Sequence, residues 1–280
     1  MKIGMNLLLW TTHVTSEHHR TMARLKEAGY DGVEIPLFEG DASHYRGIRG
    51  ELDKLGLACS TVTCLGPEHS PISPDAAVRK AAVERLRWAI EMTATLKGDV
   101  MAGPFHSPLA VFSGEPPTED EKKRAADVLR QAAEFAATSK VKLAIEYLNR
   151  FECYFLNTAS DTAALVQRVN HPNFRAMYDT FHANIEEKSP GAAINALGER
   201  MIHVHISESD RGTPGTGMVH WTENFQALKK ARYDGWLTIE AFGRALPALA
   251  AATKVWRDLF PSAEDLYTNG IAFIKQQWAA

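Results

Sequence analysis

The sequence predicts an α/β fold in which eight βα units close into a (β/α)8 TIM barrel, followed by one extra helix at the C-terminus. Two observations support this prediction. Short apolar, β-rich runs alternate with longer amphipathic stretches from one end of the chain to the other, and eight such units can be counted. The length of 280 residues also suits this barrel, which uses roughly 250 residues as a single unit.

The eight predicted strands each have about the length of a barrel strand. In chain order they are Ile3 to Leu9, Gly32 to Ile35, Ala58 to Thr63, Val100 to Gly103, Lys142 to Glu146, Arg175 to Asp179, Met201 to His205 and Trp236 to Glu240.

The predicted helices lie between these strands, and several begin at a good N-cap or a proline, such as Ser73-Pro74-Asp75 and Pro117-Thr118-Glu119. Gly29 and Gly56 stand where a helix must stop before a buried strand. The clearest helical stretches are Ser16 to Ala28, Asp75 to Leu96, Glu119 to Thr138, Thr222 to Ala231 and the C-terminal Ala263 to Trp278.

No linker, charge block, low-complexity tract or close repeat interrupts this pattern, so we expect residues 1–280 to form a single domain. An open doubly wound sheet would also show βα alternation, but it usually carries a glycine-rich fingerprint after its first strand. Here that strand runs into Trp10-Thr11-Thr12-His13. The closed barrel is therefore favoured, and its reactive groups should lie at the C-terminal ends of the strands.

The composition limits the classes of partner. Hydrophobic residues make up 45% of the chain and charged residues 23%, as in water-soluble globular proteins, and the formal net charge of -3 gives no excess of positive charge for nucleic acid. No run approaches the ~20 apolar residues that span a bilayer. The cysteines Cys59, Cys64 and Cys153 have no metal-finger spacing and are expected to be reduced thiols. We expect a cytoplasmic protein with neither a nucleic-acid nor a membrane partner.

Four predicted strands in the second half of the chain end in a residue that can bind a divalent metal ion: Glu146, Asp179, His205 and Glu240. Consecutive barrel strands end on one rim, so these four side chains can converge on one point. Any one of them alone would more readily cap a helix or pair with a lysine, but the repetition favours a metal site. Three carboxylates with one imidazole suit Mn²⁺, Mg²⁺ or Co²⁺ and do not suit structural zinc.

Distinctive polar runs follow three of these strand ends. They are Tyr147-Leu148-Asn149-Arg150-Phe151-Glu152 with Leu156-Asn157-Thr158, Thr180-Phe181-His182-Ala183-Asn184-Ile185-Glu186-Glu187, and Ile206-Ser207-Glu208-Ser209-Asp210-Arg211-Gly212 with Gly215-Thr216-Gly217. These runs closely resemble the ketose 3-epimerases of the D-tagatose, D-allulose (D-psicose) and L-ribulose type, within the xylose-isomerase-like barrel superfamily. The resemblance covers most of the chain and is densest between Glu146 and Phe242.

The resemblance implies a metal-dependent isomerase that epimerises free ketoses at C3, with pairs such as D-tagatose and D-sorbose, D-fructose and D-allulose, or L-ribulose and L-xylulose. It implies one divalent ion per subunit, Mn²⁺ first and Co²⁺ or Mg²⁺ as alternatives, and a homodimer or homotetramer. Apolar surface for such a contact is expected at Cys153-Tyr154-Phe155 and at Gly243 to Trp256.

The family's site residues map onto this chain by motif. The resemblance makes Glu146, Asp179, His205 and Glu240 the metal ligands, Glu146 and Glu240 the acid/base pair, and Glu152, His182 and Arg211 the residues that hold the O1 to O3 end of the sugar. The chemistry is consistent with this set. C3 epimerisation removes a proton next to the C2 carbonyl and returns one to the opposite face through a cis-enediolate, which requires two bases and an electrophile.

Other residues near the predicted rim carry weaker signals. Trp10, Cys64 and Phe242 are candidates for an apolar pocket wall, with ordinary core as the alternative. In the first strand Asn6 occupies a place where the best-known epimerases often carry an aromatic residue or His, and Val14 takes the place of a pocket tryptophan. The preferred ketose is therefore not implied.

Two further motifs, a second histidine and a glycine-rich run, lie in the same region of the sequence. His203 shares a strand face with His205 and is expected to be a packed supporting residue rather than a ligand. The glycine-rich run Gly212 to Gly217 lacks the lysine of a phosphate loop, and we expect it to be a turn that brings Arg211 inward.

Three alternatives stay open on the sequence. The nearest is a hydroxypyruvate isomerase or an inosose dehydratase with the same metal residues, against which Glu152, His182 and Arg211 favour the epimerase. An AP endonuclease-like enzyme would need more histidine ligands and a basic surface. A non-catalytic sugar-binding barrel would not need two metal-bound carboxylates on opposite faces of C3.

Overall fold

The chain forms a closed barrel of eight parallel strands with helices around its outside, in a computed structural model that describes residues 1–280. The strands are β1 Lys2–Asn6, β2 Gly32–Pro36, β3 Ala58–Val62, β4 Val100–Gly103, β5 Lys142–Ile145, β6 Phe174–Asp179, β7 Met201–Ile206 and β8 Trp236–Ile239. The helices are α1 His19–Ala28, α2 Ala42–Leu55, α3 Ala76–Thr95, α4 Glu119–Thr138, α5 Ala159–Val169, α6 Thr180–Glu186, α7 Pro190–Leu197, α8 Trp221–Lys230, α9 Pro247–Thr253 and α10 Ala263–Ala279. The predicted (β/α)8 fold is confirmed.

The strands pair in sequence order, and β1 closes the ring by pairing with β8 from Lys2 opposite Trp236 to Met5 opposite Ile239. All eight therefore end on the same rim. Because side chains alternate along a strand, Trp236 and Thr238 lie on the same side of β8 as the following Glu240. Trp236 packs with Val100, Ala102, Ala144 and Met177 in a small apolar cluster separate from the main core.

The first strand is shorter than the predicted run Ile3 to Leu9. Strand β1 ends at Asn6, whose side-chain oxygen accepts a hydrogen bond of 2.9 Å from the backbone N–H of Leu8. This cap starts a 3-10 turn over Leu7–Leu9. The asparagine thus redirects the chain, which the apolar pattern of three leucines did not indicate.

The predicted C-terminal helix is confirmed as α10, which packs against α1 and α8 on the outside of the barrel. Its attachment includes a hydrogen bond of 2.7 Å from the Tyr30 hydroxyl to the backbone oxygen of Tyr267. No helix combines the length and apolar character needed to cross a membrane.

Two expectations about cysteines and surfaces can be compared with the structure. All three cysteines are free thiols. The prediction of an apolar surface at Cys153-Tyr154-Phe155 is wrong. Cys153 and Phe155 are buried, and the Tyr154 hydroxyl donates a hydrogen bond of 2.6 Å to Glu121. Exposed apolar side chains lie nearby at Phe151, which is 73% exposed, and in the other predicted stretch at Trp256, which is 68% exposed.

Candidate functional site

The four predicted metal-binding side chains meet at the C-terminal rim of the barrel. Glu146, Asp179, His205 and Glu240 are all buried, and each offers a ligand atom within 4.8 Å of the others. Asp179 ends β6 and His205 lies near the end of β7. The two glutamates follow β5 and β8 directly, and the backbone N–H of Glu146 still pairs with the Gly103 oxygen at 3.1 Å, which extends the strand geometry to the side chain.

The geometry around His205 leaves room for an ion. Its Nδ1 atom lies 3.4 Å from Glu240 Oε1, 3.6 Å from Asp179 Oδ2 and 3.9 Å from Glu146 Oε1. The same Nδ1 is buried and makes no hydrogen bond. One imidazole nitrogen and three carboxylates therefore surround a common point, and this donor set fits a hard or borderline divalent cation.

The two carboxylate oxygens of Asp179 have different partners, one in helix α6 and one in the cluster. Oδ1 caps α6 by accepting from the backbone N–H groups of Phe181 at 2.6 Å and His182 at 3.3 Å. Oδ2 faces His205 and the Arg211 guanidinium. A strand-end aspartate can therefore cap a helix and still present one oxygen to the cluster.

The concentration of negative charge is visible in the pKa values of the cluster. Burial raises the pKa of Glu146 well above its ordinary value, and repulsion from Glu240 and Asp179 raises it further. For Asp179 burial also acts to raise the pKa, but Arg211 and His182 together hold it below the ordinary carboxyl value. A bound divalent cation would relieve the repulsion among these carboxylates.

A fourth buried acid, Glu34, contacts the imidazole of the cluster and was not identified from the sequence. Its Oε2 lies 2.8 Å from His205 Nε2 and its Oε1 lies 2.8 Å from His203 Nε2. Burial would raise the pKa of Glu34, but the two histidines hold it below the ordinary carboxyl value. The bond to Nε2 leaves the Nδ1 of His205 facing the three carboxylates, the usual arrangement of a metal-binding histidine.

Glu34, His203 and His205 are themselves close enough to be considered as a second metal group. His205 Nε2 forms a hydrogen bond of 2.8 Å with Glu34, whereas His203 Nε2, also at 2.8 Å, lacks hydrogen-bond geometry, and Glu34 accepts from Asn6 and Ser60 at 2.9 Å each. These bonds account for the Glu34 carboxylate without an ion. The signal for Glu34 in the sequence was an acid within the buried run Gly32-Val33-Glu34-Ile35, a position that requires a partner.

The predicted sugar-holding residues lie beside the cluster. Arg211 Nη1 donates to Glu240 Oε2 at 2.8 Å, and its guanidinium carbon lies 3.7 Å from the ring centroid of Phe181. Arg211 Nη2 is 3.0 Å from Nε2 of His182. The backbone N–H of Asn149 donates to the other ring nitrogen of His182, Nδ1, at 2.9 Å.

Glu152 is linked to this group through Asn149, whose side-chain amide donates to Glu152 Oε1 at 2.8 Å. Glu152 lines the same cavity as Glu146, His182, Arg211 and Glu240. The structure thus brings together all seven residues that the motifs singled out, along with Asn149, which the sequence reasoning did not assign.

The glycine-rich run after β7 folds around an internal carboxylate. Glu208 accepts hydrogen bonds from the backbone N–H groups of Ser209 and Gly215 at 2.8 Å each and of Val219 at 3.2 Å, and from the Trp221 indole at 2.9 Å. These donors are therefore engaged within the chain. The loop is a turn that holds Arg211, consistent with the expectation, and not a phosphate loop.

The remaining wall of the cavity is mostly apolar. The cavity has a volume of about 130 Å³. Its apolar lining is Leu8, Phe38, Val62, Pro104, Leu109, Leu148, Phe242, Leu249 and Ala252, the last two from α9. Cys64 also lines it, whereas Trp10 lines a neighbouring groove beside Arg244 and Phe260, because the 3-10 turn carries it away from the rim centre. Val14 is buried in the main core.

Comparison with known proteins gives consistent results. The family model described as xylose isomerase-like TIM barrel matches residues 22–277. A ketose 3-epimerase of Arthrobacter globiformis is 32% identical over 283 residues, covering 100% of this chain and 98% of that protein. An L-ribulose 3-epimerase of Mesorhizobium japonicum is 32% identical over 276 residues, covering 98% of this chain and 93% of its own.

Among solved structures, a D-allulose 3-epimerase from Methylomonas sp. in complex with D-allulose superposes with a TM-score of 0.93 at 29% identity, and the match covers 99% of this chain and 97% of that one. The likeness therefore extends over the whole barrel, including the rim that carries the cluster. The chain belongs to the xylose isomerase-like TIM-barrel family and, within it, to the ketose 3-epimerases.

Proposed function

We propose that this protein is an isomerase that epimerises free ketoses at C3, with one divalent metal ion held by Glu146, Asp179, His205 and Glu240. The observation that carries the proposal is the placement of two glutamates at one cluster from strands that lie three apart in the ring of eight, β5 and β8. This spacing supports an approach to C3 from two sides. The relatives named as ketose and L-ribulose 3-epimerases support the same reaction.

In the proposed mechanism one glutamate removes the C3 proton and the other returns a proton to the opposite face of the resulting cis-enediolate. Glu146 and Glu240 are the two groups, and each contributes about 10² to 10⁴ in rate as a general acid or base. When bound, the divalent ion supplies Lewis-acid polarisation of the C2 carbonyl. Burial of both glutamates limits the contact of their carboxylates with bulk water during the transfer.

Arg211 and His182 supply donors for the O1 to O3 end of the sugar, and Glu152 supplies an acceptor. In the structure Arg211 Nη2 lies 3.0 Å from His182 Nε2, so an oxygen atom of the sugar placed beside this pair can contact both side chains. Arg211 is the only Lys or Arg that lines the cavity. This supports a free ketose as substrate over a sugar phosphate.

We propose Mn²⁺ as the bound ion, with Co²⁺ or Mg²⁺ as alternatives, because three carboxylates and one imidazole suit all three. We also propose a homodimer or homotetramer, supported by the exposed side chains of Phe151 and Trp256. Light scattering at micromolar concentration tests the assembly, and a monomer mass would contradict it.

The same proposal includes a cytoplasmic location, supported by three cysteines that remain free thiols. Fractionation of cells that express the protein tests it, and recovery from the periplasm or the medium would contradict it.

The reaction is tested by proton exchange in D₂O. The protein is treated with chelator, reconstituted with Mn²⁺ and incubated with D-fructose, D-tagatose and L-ribulose, and products are identified by NMR. We expect C3 epimers with deuterium at C3, formed only with metal and absent for Glu240→Gln. The matched control is Glu84→Gln, at a side chain that is 59% exposed on α3.

Two outcomes would overturn the proposal. An aldose product with deuterium at C2 would identify an aldose–ketose isomerase. Absence of reaction with every ketose would direct the next assays to hydroxypyruvate and inosose, the substrates of the nearest alternative enzymes.

A further inference from the structure

The side chain of Asn6 connects the buried acid Glu34 with the proposed catalytic acid Glu240. Asn6 is fully buried at the end of β1. Its Nδ2 atom donates to Glu34 Oε2 at 2.9 Å and to Glu240 Oε1 at 3.1 Å. One amide group therefore bridges two carboxylates that come from β2 and from the end of β8.

The orientation of this amide is set by the backbone. Asn6 Oδ1 accepts from the N–H of Leu8 at 2.9 Å, at the start of the 3-10 turn. The opposite orientation would place the NH₂ group against that N–H and the oxygen against two carboxylates. The turn therefore keeps both Nδ2 protons directed at Glu34 and Glu240.

The two proposed acid/base glutamates differ in the number of hydrogen bonds that their carboxylates accept. Glu240 receives Asn6 on Oε1 and Arg211 on Oε2, at 3.1 Å and 2.8 Å. The Glu146 carboxylate has no hydrogen bond, and its nearest nitrogen contacts are His182 at 3.7 Å and His205 at 3.9 Å. Arg211 is also a proposed substrate-holding residue, so Asn6 is the Glu240 contact that has no proposed role in holding the sugar.

We propose that Asn6 is a positioning residue that holds Glu240 for proton transfer at one face of C3, an inference that rests on the proposed function. It acts on one of the two proton transfers because it contacts only one of the two glutamates. Misplacement of a reacting group by about 1 Å costs on the order of 10²-fold in rate. Loss of Asn6 should therefore slow the transfer at Glu240 and leave the transfer at Glu146 largely intact.

This one-sided effect can be measured because the two C3 epimers present their C3 proton to different glutamates. When the Glu240 step is slow, the epimer whose proton Glu240 removes shows a larger primary deuterium isotope effect on kcat/KM. The other epimer gives its C3 proton to Glu146 in a fast step, and the return of a proton by Glu240 then limits its rate. Its isotope effect on kcat/KM is therefore smaller. Its C3 hydrogen also exchanges with solvent before the configuration is inverted. A loss that affects the whole site would not separate the two epimers.

The variants are Asn6→Ala and Asn6→Asp, with Ser60→Ala as the matched control. Asn6→Asp keeps an acceptor for Leu8 but turns an oxygen toward two carboxylates. Ser60→Ala removes a buried hydrogen bond of 2.9 Å to Glu34 Oε1 and touches no acid/base group. Each variant is assayed with both 3-²H epimers of one ketose pair, and Mn²⁺ affinity is measured by calorimetry.

We expect Asn6→Ala to lower kcat by about 10- to 100-fold, with KM within about threefold, since the substrate-holding residues are untouched. The isotope effects of the two epimers should diverge, Mn²⁺ affinity should stay within about threefold of the wild type, and Asn6→Asp should lose at least as much activity. Ser60→Ala should produce no divergence.

Equal changes in the isotope effects of both epimers would overturn the inference, as would a loss of Mn²⁺ affinity that matches the loss of kcat. If the wild type itself exchanges no C3 hydrogen, the proposed function fails and this inference fails with it. If the wild type is active and Asn6→Ala shows the same rate and isotope effects, only the role of Asn6 is rejected.

Discussion

Glu34 and His205, which lie 171 residues apart in the chain, are joined at 2.8 Å between Oε2 and Nε2. The contact crosses the barrel interior from β2 to β7. It fixes the proton of the imidazole on the side away from the three carboxylates and presents Nδ1 to them. The proposed ligand set therefore depends on a residue that is not itself a proposed ligand.

Glu34→Gln should weaken Mn²⁺ binding by about 10- to 100-fold, the usual effect of removing the partner of a metal-binding histidine. The reason is that a glutamine amide can present a donor or an acceptor to His205 Nε2 but not a charge. Isothermal titration calorimetry measures the change, with Ser60→Ala as the control because it removes only a hydroxyl from the other oxygen of Glu34. An unchanged dissociation constant would contradict this role.

Removal of the metal should expose the repulsion among the buried carboxylates. Burial and the neighbouring acids raise the pKa of Glu146, so the folded protein without metal binds a proton there that the unfolded chain has released. Stability of the metal-free protein from this group therefore falls as the pH rises above the ordinary carboxyl value of 4.5. Added Mn²⁺ reverses the loss by binding the folded state.

Glu146→Gln tests this account by calorimetric unfolding from pH 5 to pH 8, with and without Mn²⁺. We expect the variant to have a higher Tm than the wild type in chelator, by a margin that grows with pH, and to gain less from Mn²⁺. A lower Tm for the variant in chelator at every pH would show that repulsion does not govern the metal-free state.

Glu208→Gln should destabilise the loop that carries Arg211. Burial would raise the pKa of Glu208, but hydrogen bonds from Ser209, Trp221, Val219 and Gly215 lower it, so the ionised form is favoured in the folded state. This stabilisation is present above the ordinary carboxyl value of 4.5 and is lost as the pH falls below it. We expect a loss of about 1 to 3 kcal/mol at pH 7.

Urea unfolding at pH 7 and at pH 3.5 measures the Glu208 effect, and the difference between variant and wild type should shrink at the lower pH. Glu223→Gln, an exposed carboxyl that accepts from Ser189 at 2.7 Å, serves as the control. A difference that is independent of pH would mean that Glu208 acts by packing alone.

Arg211→Lys should lower kcat/KM by about 10- to 100-fold, because lysine cannot donate in two directions from one planar group. The guanidinium now contacts Glu240 and His182 from separate nitrogens. Steady-state kinetics on the preferred ketose measures the effect, and Arg244→Lys, in an exposed pair with Asp258, is the control. Equal activity of Arg211→Lys would exclude a forked contact.

Leu249→Ala should widen the cavity, which has a volume of about 130 Å³. Leu249 comes from α9 and forms part of the apolar wall of the cavity, where it packs against an apolar cluster that includes Leu8 and Phe242. We expect the ratio of kcat/KM for a hexulose to that for a pentulose to rise several-fold, with Leu249→Ile as the volume-conserving control. An unchanged ratio of the two kcat/KM values would show that α9 does not contact the end of the sugar that is remote from C3.

The sequence predicted which four side chains cluster at the rim but not the residues that support them, and the reason is physical. Glu146, Asp179, His205 and Glu240 stand at strand ends, and the barrel brings strand ends together whatever the details of packing. Glu34 lies in the middle of β2, where nothing local shows which histidine it will meet across the barrel. The pairing emerges only when the ring closes.

Asn6 illustrates the same limit in local structure. The run Ile3 to Leu9 has the apolar character of a strand, yet the asparagine side chain competes for the N–H of Leu8 and ends the strand early. Its amide protons then reach Glu34 and Glu240, partners that the alternation of apolar residues does not encode.

The carboxylate of Glu208, at the centre of the glycine-rich loop, competes with external anions for the backbone N–H groups of that loop. An anion from solution must displace the Glu208 carboxylate, which belongs to the same chain as the N–H groups that bind it. The effective concentration of this carboxylate at the loop is therefore set by the fold. The backbone N–H groups that bind Glu208 are therefore not free to bind a phosphate group.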